Sequence, residues 1–244
     1  MSALTRKAFA ASAVFLVAGA IALRAQAPSA KTSFTGDVGV ISASGNTQLR
    51  TLSVGDKIAH TNGRWILSQL GAYIYGETGD VSTANQLRLA ARSDYLFHPR
   101  VSAFTSAAFE RNTFAGFDRR TDENLGLSWK ALMATWDSLN VDLGGVMTQQ
   151  SNVDGTSRSF PAGRLAGAYK HAFSKASYFQ QLAEYIPDLE STGEYRVNSE
   201  SAIVAPLSSH AGVKVGYVVR YNSLPPLGFG STDRVLTSGI QVSF

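Results

Sequence analysis

The chain has 244 residues, with 22 Lys and Arg against 18 Asp and Glu, and contains no cysteine. The lack of thiols excludes disulfides, thiolate nucleophiles and cysteine-ligated zinc or iron–sulfur centres. The length is enough for one large domain, and the small basic excess gives no support for a nucleic-acid partner.

The N-terminal segment has the features of a secretory signal peptide. Arg6 and Lys7 precede an apolar run over residues 8–23, and a small-x-small triplet follows at 25–27. The alternative is an uncleaved anchor, but the run is about sixteen residues, short of the roughly twenty that span a bilayer. We therefore predict export and cleavage after Ala27. Removing the three basic residues of this leader leaves 19 Lys and Arg against 18 acids.

The remaining chain alternates between apolar and polar residues with period two, and has no apolar run of transmembrane-helix length. After a short periplasmic segment over residues 28–33, this pattern predicts a single up-and-down antiparallel barrel over residues 34–244, because only closed barrels cross lipid as strands. Twelve strands are predicted, over residues 34–43, 48–60, 64–76, 84–97, 100–112, 120–131, 138–150, 159–171, 176–187, 194–205, 210–222 and 232–244.

The predicted connections alternate in length. Those after odd-numbered strands are the longer set, rich in Gly, Asn, Asp and Pro, over residues 77–83, 113–119, 151–158, 188–193 and 223–231. The turns after even-numbered strands are short, and the Gly-Asn turn at 44–47 is a short exception on the long side. Because both termini lie on the short-turn side, the pattern matches a bacterial outer-membrane barrel with its short turns in the periplasm.

The aromatic residues fall at two levels, which fits belts at two membrane interfaces. The alternative is that aromatic residues simply favour strands. The predicted periplasmic belt contains Trp65, Tyr95, Phe97, Trp129, Tyr178, Phe179 and Phe244. The predicted opposite belt contains Tyr73, Tyr75, Phe109, Tyr185, Tyr195 and Tyr221.

The alternation also assigns an inner and an outer face to most strands. The candidate lumen-lining charges are Arg88, Arg92, Asp94, Glu110, Lys130, Asp142, Arg164, Lys170, Glu184, Arg196, Glu200, Lys214 and Arg220. The third and ninth strands do not sort into two faces. Asp56 shares a face with the apolar Leu52, Val54 and Ile58, which conflicts with a lipid-facing assignment unless a bulge or the rim accommodates it. The sequence leaves this exception unexplained.

Opposite charges inside a barrel either line a conducting pore or pair across strands, and pairing is favoured because an unpaired charge in a low-dielectric interior is costly. The turn between the fourth and fifth strands predicts Arg88 opposite Glu110, and the turn between the tenth and eleventh predicts Lys214 close to Glu200. The mixed charges give a channel at most a weak anion preference. Twelve strands enclose enough room for a water-filled or ligand-holding lumen.

Nothing in the sequence predicts catalysis, a cofactor or a metal site. All four histidines, His60, His98, His171 and His210, flank short turns. A metal-binding or pH-sensing ring is one interpretation, but no carboxylate cluster accompanies them, and polar residues on a wet rim are favoured. The serines form no G-x-S-x-G elbow, and there is no P-loop.

Several short motifs in order resemble one family, the salt-induced outer membrane proteins known as domain of unknown function family 481. They are the Gly-Asn-Thr turn at 45–47, Gly63-Arg64-Trp65, residues 110–118, Tyr195-Arg196, Tyr217, Arg220-Tyr221-Asn222, Pro225-Pro226, Thr232-Asp233 and Val242-Ser243-Phe244. The resemblance covers about residues 34–244 and implies an outer-membrane barrel with no established catalytic residues. Asp56 departs from the family, which is apolar there.

The leading hypothesis is a twelve-stranded outer-membrane barrel acting as a small channel or as an envelope protein of the osmotic, salt-stress response. The first alternative is a closed barrel that binds a ligand or partner through residues 113–120 and 223–231, and the second is a lipid-modifying enzyme. The predicted partners are outer-membrane lipid, small solutes or ions, and the barrel-assembly machinery, for which a terminal aromatic residue such as Phe244 is the usual signal in barrels of this type.

Overall fold

The computed structural model describes residues 30–43 and 49–244, and within them the chain is a closed antiparallel barrel. Each strand pairs with its neighbours in sequence, and the last strand pairs with the first, as predicted. The strands are β1 (Lys31–Ala43), β2 (Leu49–Asn62), β3 (Trp65–Thr78), β4 (Val81–His98), β5 (Val101–Asn112), β6 (Phe117–Met133), β7 (Asp137–Asn152), β8 (Ser157–Ala172), β9 (Tyr178–Pro187), β10 (Tyr195–Pro206), β11 (Ala211–Asn222) and β12 (Thr232–Ser243).

Parts of the chain for which predictions were made lie outside the described residues, namely the signal peptide over 1–27 and the turn at 44–47. Residues 31–33, predicted as part of a separate N-terminal segment, belong to β1. Within the described part of the chain, no helix is long and apolar enough to cross a membrane.

The contrast between long and short connections is weaker than predicted, because several strands extend further than their alternation indicated. The β3–β4 connection shrinks to a two-residue turn in which Gly79 has a φ of 61°. A short 3-10 turn, Thr113–Ala115, joins β5 to β6. The longest connection, residues 223–231 between β11 and β12, has the predicted bounds.

The outer face is apolar between two aromatic belts. On β6, Leu125 and Leu127 are 70% and 54% exposed, whereas the alternate residues point inward. Near the short turns, Trp65 contacts Tyr95 with ring centroids 5.0 Å apart. In the belt near the long loops, Tyr195 contacts both Tyr185 and Tyr221. Tyr178 lies at the predicted level but points inward, where its hydroxyl accepts a hydrogen bond from Gln241.

The sequence pattern did not distinguish the inner from the outer face of β3 and β9, because both faces of these strands carry apolar residues. On β3, Leu67 and Tyr73 face outward while Ile66 and Leu70 line the lumen. A small apolar cluster also lies inside the wall, formed by Val146, Ala162 and Ile186 with Phe160 against it. The lumen is therefore only partly polar.

Asp56 occupies neither a bulge nor a rim. The ladders of β2 with β1 and β3 are continuous there, and they pair Asp56 with Gly36 and Gly71 in the middle of the strands. Its carboxylate lies over Gly71 on the outer face, at the level between the two belts. Neither a bulge nor the rim accounts for Asp56, which is a carboxylate on the outer face at the level of the lipid.

The barrel closes through a short ladder between β1 and β12. It runs over five residue pairs, from Thr35 opposite Ser243 to Gly39 opposite Gly239. Phe34 and Phe244 exchange two backbone hydrogen bonds of 2.9 Å, and their rings stack at 6.4 Å. The C-terminal residue is thus held at the short-turn end of the seam.

Candidate functional site: the barrel lumen

The thirteen charged residues predicted for the lumen lie on the inner face of the barrel, since each is an even number of residues from the other inward residues of its strand. They fall into three groups according to their partners. Ion-paired across the lumen or along its wall are Arg92, Asp94, Glu110, Asp142, Arg164, Glu184, Arg196, Lys214 and Arg220. Lys170 lies over the ring of Tyr178, with 3.9 Å to its centroid. No ion pair within the described residues involves Arg88, Lys130 or Glu200.

One ion pair crosses the full width of the lumen toward the long loops. Arg220 on β11 bonds Glu110 on β5, and these strands are six positions apart in a ring of twelve, hence on opposite walls. Gln86 on β4 donates a second hydrogen bond of 2.6 Å to the same carboxylate oxygen. The lumen is therefore bridged at this level.

A second bridge lies beside the first. Arg196 on β10 donates to both carboxylate oxygens of Asp122 on β6, at 3.1 and 3.2 Å. Thr148, fully buried, donates to Asp122 at 2.6 Å and accepts from Arg196 at 2.9 Å. The bidentate geometry and the shared hydroxyl satisfy the buried groups, which a desolvated pair needs.

Arg120 completes this layer from β6. Its Nε donates to Gln150 at 2.8 Å, and its guanidinium lies 3.9 Å from the centre of the Phe117 ring. We call Glu110, Arg120, Asp122, Arg196 and Arg220 the charged partition.

Two connections from opposite walls meet above the charged partition. Gly116, with a φ of 85°, packs so closely on Phe229 and Pro226 that a Cβ would lie 2.7 and 2.8 Å from their side chains. Gly116 also accepts a backbone hydrogen bond from Val153 in the β7–β8 connection. We call residues 113–116 and 223–231 the loop lid. The cavity between lid and partition has a volume of about 30 Å³, room for about two waters.

The middle of the lumen holds a continuous cluster of five charged side chains. Arg92 donates to Asp142 at 2.5 Å and to Asp94 at 2.7 Å. Arg164 joins the same Asp142 to Glu184, at 3.2 and 2.6 Å. This cluster follows the wall from β4 to β9, so it narrows one side of the lumen without closing it.

Phe104 supports this cluster and was not predicted as a lumen residue. It is 2% exposed, lies over Gly126, and has the guanidinium groups of Arg92 and Arg164 at 3.9 and 5.7 Å from its ring centre. The stacking orients both arginines and shields their pairs from water. In a strand with alternating apolar and polar residues, an aromatic residue is normally assigned to the outer face. Phe104 nevertheless lies two residues from Ser102 and from Ser106, so the alternation places it on the inner face with them.

Below the charged partition lies a cavity of about 440 Å³, continued by a second of about 200 Å³. We call them together the chamber. It begins beside the short turns, at Ile66, Leu96 and Asn140, and ends at Glu110 and Arg220. Eight cationic side chains and six carboxylates line it.

The predicted registers met different outcomes. Arg88 lies opposite Glu110, as predicted, although the carboxylate bonds Arg220 rather than Arg88. The predicted proximity of Lys214 to Glu200 was wrong. The register places Lys214 opposite Val204, and its ammonium bonds Asp37 on β1 at 3.0 Å.

Lys57, Asp37 and Asp122 are lumen charges that the sequence prediction missed. Each alternates with outward residues, as Lys57 does between Asp56 and Ile58, so period two marks it as inward. The uncertainty over Asp56 obscured that signal on β2.

The four histidines lie beside the short turns, each with its own partner. His171 bonds Asp137 at 2.8 Å, and His60 bonds Thr32 at 2.8 Å. Within residues 30–43 and 49–244, no group of three or more His, Asp or Glu side chains is arranged to hold a metal. The histidines therefore do not form a shared site.

A closed antiparallel barrel with an apolar outer band, two aromatic belts and a charged interior is a transmembrane β-barrel of the outer-membrane type. The model of the family described as "Protein of unknown function, DUF481" matches residues 36–244. The chain belongs to that family, which confirms the resemblance seen in its motifs.

The chain is similar to one curated protein and to several solved barrels. It is 25% identical over 223 residues to "Uncharacterized protein YdiY" of Escherichia coli (strain K12), covering 88% of this chain and 85% of YdiY. The NanC porin in a rhombohedral crystal form has a TM-score of 0.48 at 8% identity, covering 86% of this chain and 97% of that one. The translocator domain of autotransporter NalP from Neisseria meningitidis has a TM-score of 0.47 at 13% identity, covering 87% and 86%.

Proposed function

We propose that the protein is an outer-membrane channel for small anionic solutes whose pathway rests in a closed state. The apolar outer band and the aromatic belts support the membrane location. The short turns then lie in the periplasm and the loop lid outside the cell. In this orientation the chamber is entered from the periplasm.

The observation that carries the proposal is the change along the lumen from a wide chamber to a narrow layer bridged by ion pairs. The two cavities of the chamber, of about 440 and 200 Å³, hold many waters, whereas about 30 Å³ remains between partition and lid. A solute reaching the partition meets the bond between Glu110 and Arg220. Passage requires that this bond break or move aside, as in a gated channel.

The charge of the chamber supports an anionic solute. Cationic side chains outnumber carboxylates by eight to six along its walls. Low-dielectric walls focus that field and raise the local concentration of anions. The preference is modest because four of these eight cations are already paired with carboxylates.

The loop lid supports closure more than it supports partner binding. Pro226 and Phe229 pack against Gly116 across the mouth, so these side chains are occupied within the protein. A ligand that binds through the same loops has to displace those contacts first. The proposal contains no catalytic step.

Conductance in planar bilayers tests the proposal directly. The refolded protein should show rare or small current steps, because the partition is closed. The double variant Glu110→Ala with Arg220→Ala should conduct several-fold more, with a reversal potential in a salt gradient that favours anions. Removing both partners leaves neither of these two charges buried without the other, which limits the loss of stability.

The matched control removes an ion pair of the same type outside the lumen. Arg111 and Asp118 are paired at 3.5 Å with side chains 58% exposed, and the variant Arg111→Ala with Asp118→Ala should conduct like the parent. Heat-modifiable gel mobility verifies that each barrel is folded. If neither the parent nor the double variant conducts, the channel proposal fails. Large, constantly open pores in the parent would contradict the closed state.

Two further roles complete the proposal. Phe244 is 71% exposed beside the short turns and supports recognition of the C-terminal strand by the assembly machinery.

A role in the response to salt fits a closed channel for small ions, since such a channel would act when osmotic conditions change. Expression and survival of a deletion strain at high salt test that role.

A further inference from the structure

We propose that the chamber contains a binding site for a small organic anion, formed by Lys57 and Arg88 on one wall and by the apolar side chains of the facing wall. The site would hold the oxyanion group of a phosphate monoester or carboxylate, with the rest of the molecule against Leu182 and Val218. This site specifies the class of solute that the proposed channel would transport, and in that respect it rests on the proposed function. Binding itself does not require conduction.

The first argument comes from which cations are already engaged. Among the chamber's arginines, Arg92, Arg164, Arg196 and Arg220 each bond a carboxylate. Arg120 is held by Gln150 and Phe117. The partition and the middle cluster thus account for five cations with structural partners.

Lys57 and Arg88 are different. Within the described residues, neither takes part in an ion pair or in a side-chain hydrogen bond, although both line the larger and the smaller cavity. Arg88 lies directly opposite Glu110 in the ladder, yet that carboxylate is taken by Arg220 and Gln86. Since an Arg carries five donors and no acceptor, an anion is the ligand that its unused donors fit.

Strand geometry brings the two cations to one wall. Lys57 lies opposite Leu70 on β3, and Arg88 lies opposite Ala72, the next inward residue of the same strand. They therefore flank β3 with one inward position of offset. Both are long side chains that extend into the lumen beside Leu70 and Ala72, whose side chains are shorter. A planar guanidinium with a nearby ammonium suits an anionic group that has two or three oxygens.

The wall across the chamber carries apolar side chains on both sides of one carboxylate, Glu200, which lies opposite Leu182 and Val218 in the ladders. Leu182 on β9 and Val218 on β11 line the larger cavity, together with Ala166 and Ala168 on β8. Because β9 lies six positions from β3 in the ring, Leu182 faces the cationic wall. Its side chain is 39% exposed toward the chamber, an area that a ligand would cover. A ligand with an oxyanion group and an apolar body can contact both the cationic and the apolar side chains, whereas an inorganic anion can contact only the cations.

Calorimetric titration of the folded, detergent-solubilised full chain with phenyl phosphate tests the site. Phenyl phosphate should bind more tightly than inorganic phosphate. Arg88→Ala and Lys57→Ala should each raise Kd by about tenfold, the effect of one charge-assisted hydrogen bond. Arg88→Lys should restore part of the affinity, and Leu182→Ala should weaken phenyl phosphate while leaving inorganic phosphate unchanged.

The control is Lys175→Ala, which removes an exposed lysine from a short turn outside the chamber and should leave Kd unchanged. Absence of phenyl phosphate binding by folded parent protein would overturn the site, as would binding unaffected by Arg88→Ala and Lys57→Ala. Equal affinity for inorganic phosphate would overturn the apolar wall as part of it. Binding with the expected losses, in a protein that never conducts, would refute the channel and leave the site intact.

Discussion

The charged partition and the chamber use the same kinds of side chain in opposite ways. In the partition, Arg196, Arg220 and their carboxylates are 10–19% exposed, and each has hydrogen-bond partners that satisfy it. In the chamber, Lys57 is exposed and Arg88 half-buried, and both lack a carboxylate partner within the described residues. The two regions contain the same kinds of charged group. They differ in whether each group has a carboxylate or guanidinium partner and in how much water can surround it.

This difference has an energetic cause. A desolvated charge is tolerated only when its attraction to a close partner offsets the loss of hydration. An unpartnered charge therefore needs water around it, and the two cavities of the chamber, of about 440 and 200 Å³, provide room for that water. Substitutions in the two regions should differ accordingly in their effect on stability.

The largest expected effect comes from breaking the partition on one side. Glu110→Ala leaves Arg220 buried without its carboxylate, which should lower the free energy of unfolding by about 3–5 kcal/mol. Urea unfolding of the barrel in lipid vesicles measures the change.

Two controls define the comparison. Arg88→Ala, in the chamber, and Arg111→Ala, with a side chain 58% exposed, should each change stability by less than about 0.5 kcal/mol. A loss for Arg88→Ala as large as that for Glu110→Ala would show that the two regions do not differ.

A smaller effect is expected at the hydroxyl that joins the second bridge. Thr148→Val keeps the shape of the side chain but removes its bonds to Asp122 and Arg196. Stability should fall by about 1–3 kcal/mol, because buried polar atoms lose a partner. Thr105→Val is the matched control, since Thr105 is exposed on the outer face and its hydroxyl bonds only the backbone of Asn124. An equal loss at Thr105 would mean that burial is not the cause.

The same contrast explains how much was predictable from sequence. Alternation identified twelve strands, their order and the inner face, since it depends only on neighbours along the chain. The partner of an inward charge depends on closure of the ring and on strand stagger, so Arg220 meeting Glu110 across six strands left no local pattern. Lys214 was assigned to Glu200 from its own hairpin, whereas its partner, Asp37, comes from the closing strand.

Asp56 extends the comparison to the outer face of the barrel, where its carboxylate forms no ion pair with another described residue. Its carboxylate lies over Gly71 between the aromatic belts, and its strand neighbours Val54 and Ile58 are outward and apolar. A charged residue at this depth destabilises a barrel, and a carboxylate does so less than the 2–4 kcal/mol typical of Arg or Lys. Asp56→Val should therefore stabilise the protein by about 1–2 kcal/mol in vesicle unfolding experiments.

Asp56→Asn separates charge from shape in this prediction. It keeps the size of the side chain over Gly71, so it should yield part of the gain through loss of the charge alone. If both variants instead destabilise the barrel, the carboxylate has a stabilising partner on the outer face when the protein is in its membrane. The lumen and the outer wall would then follow one rule, in which every charge away from water is held by a partner.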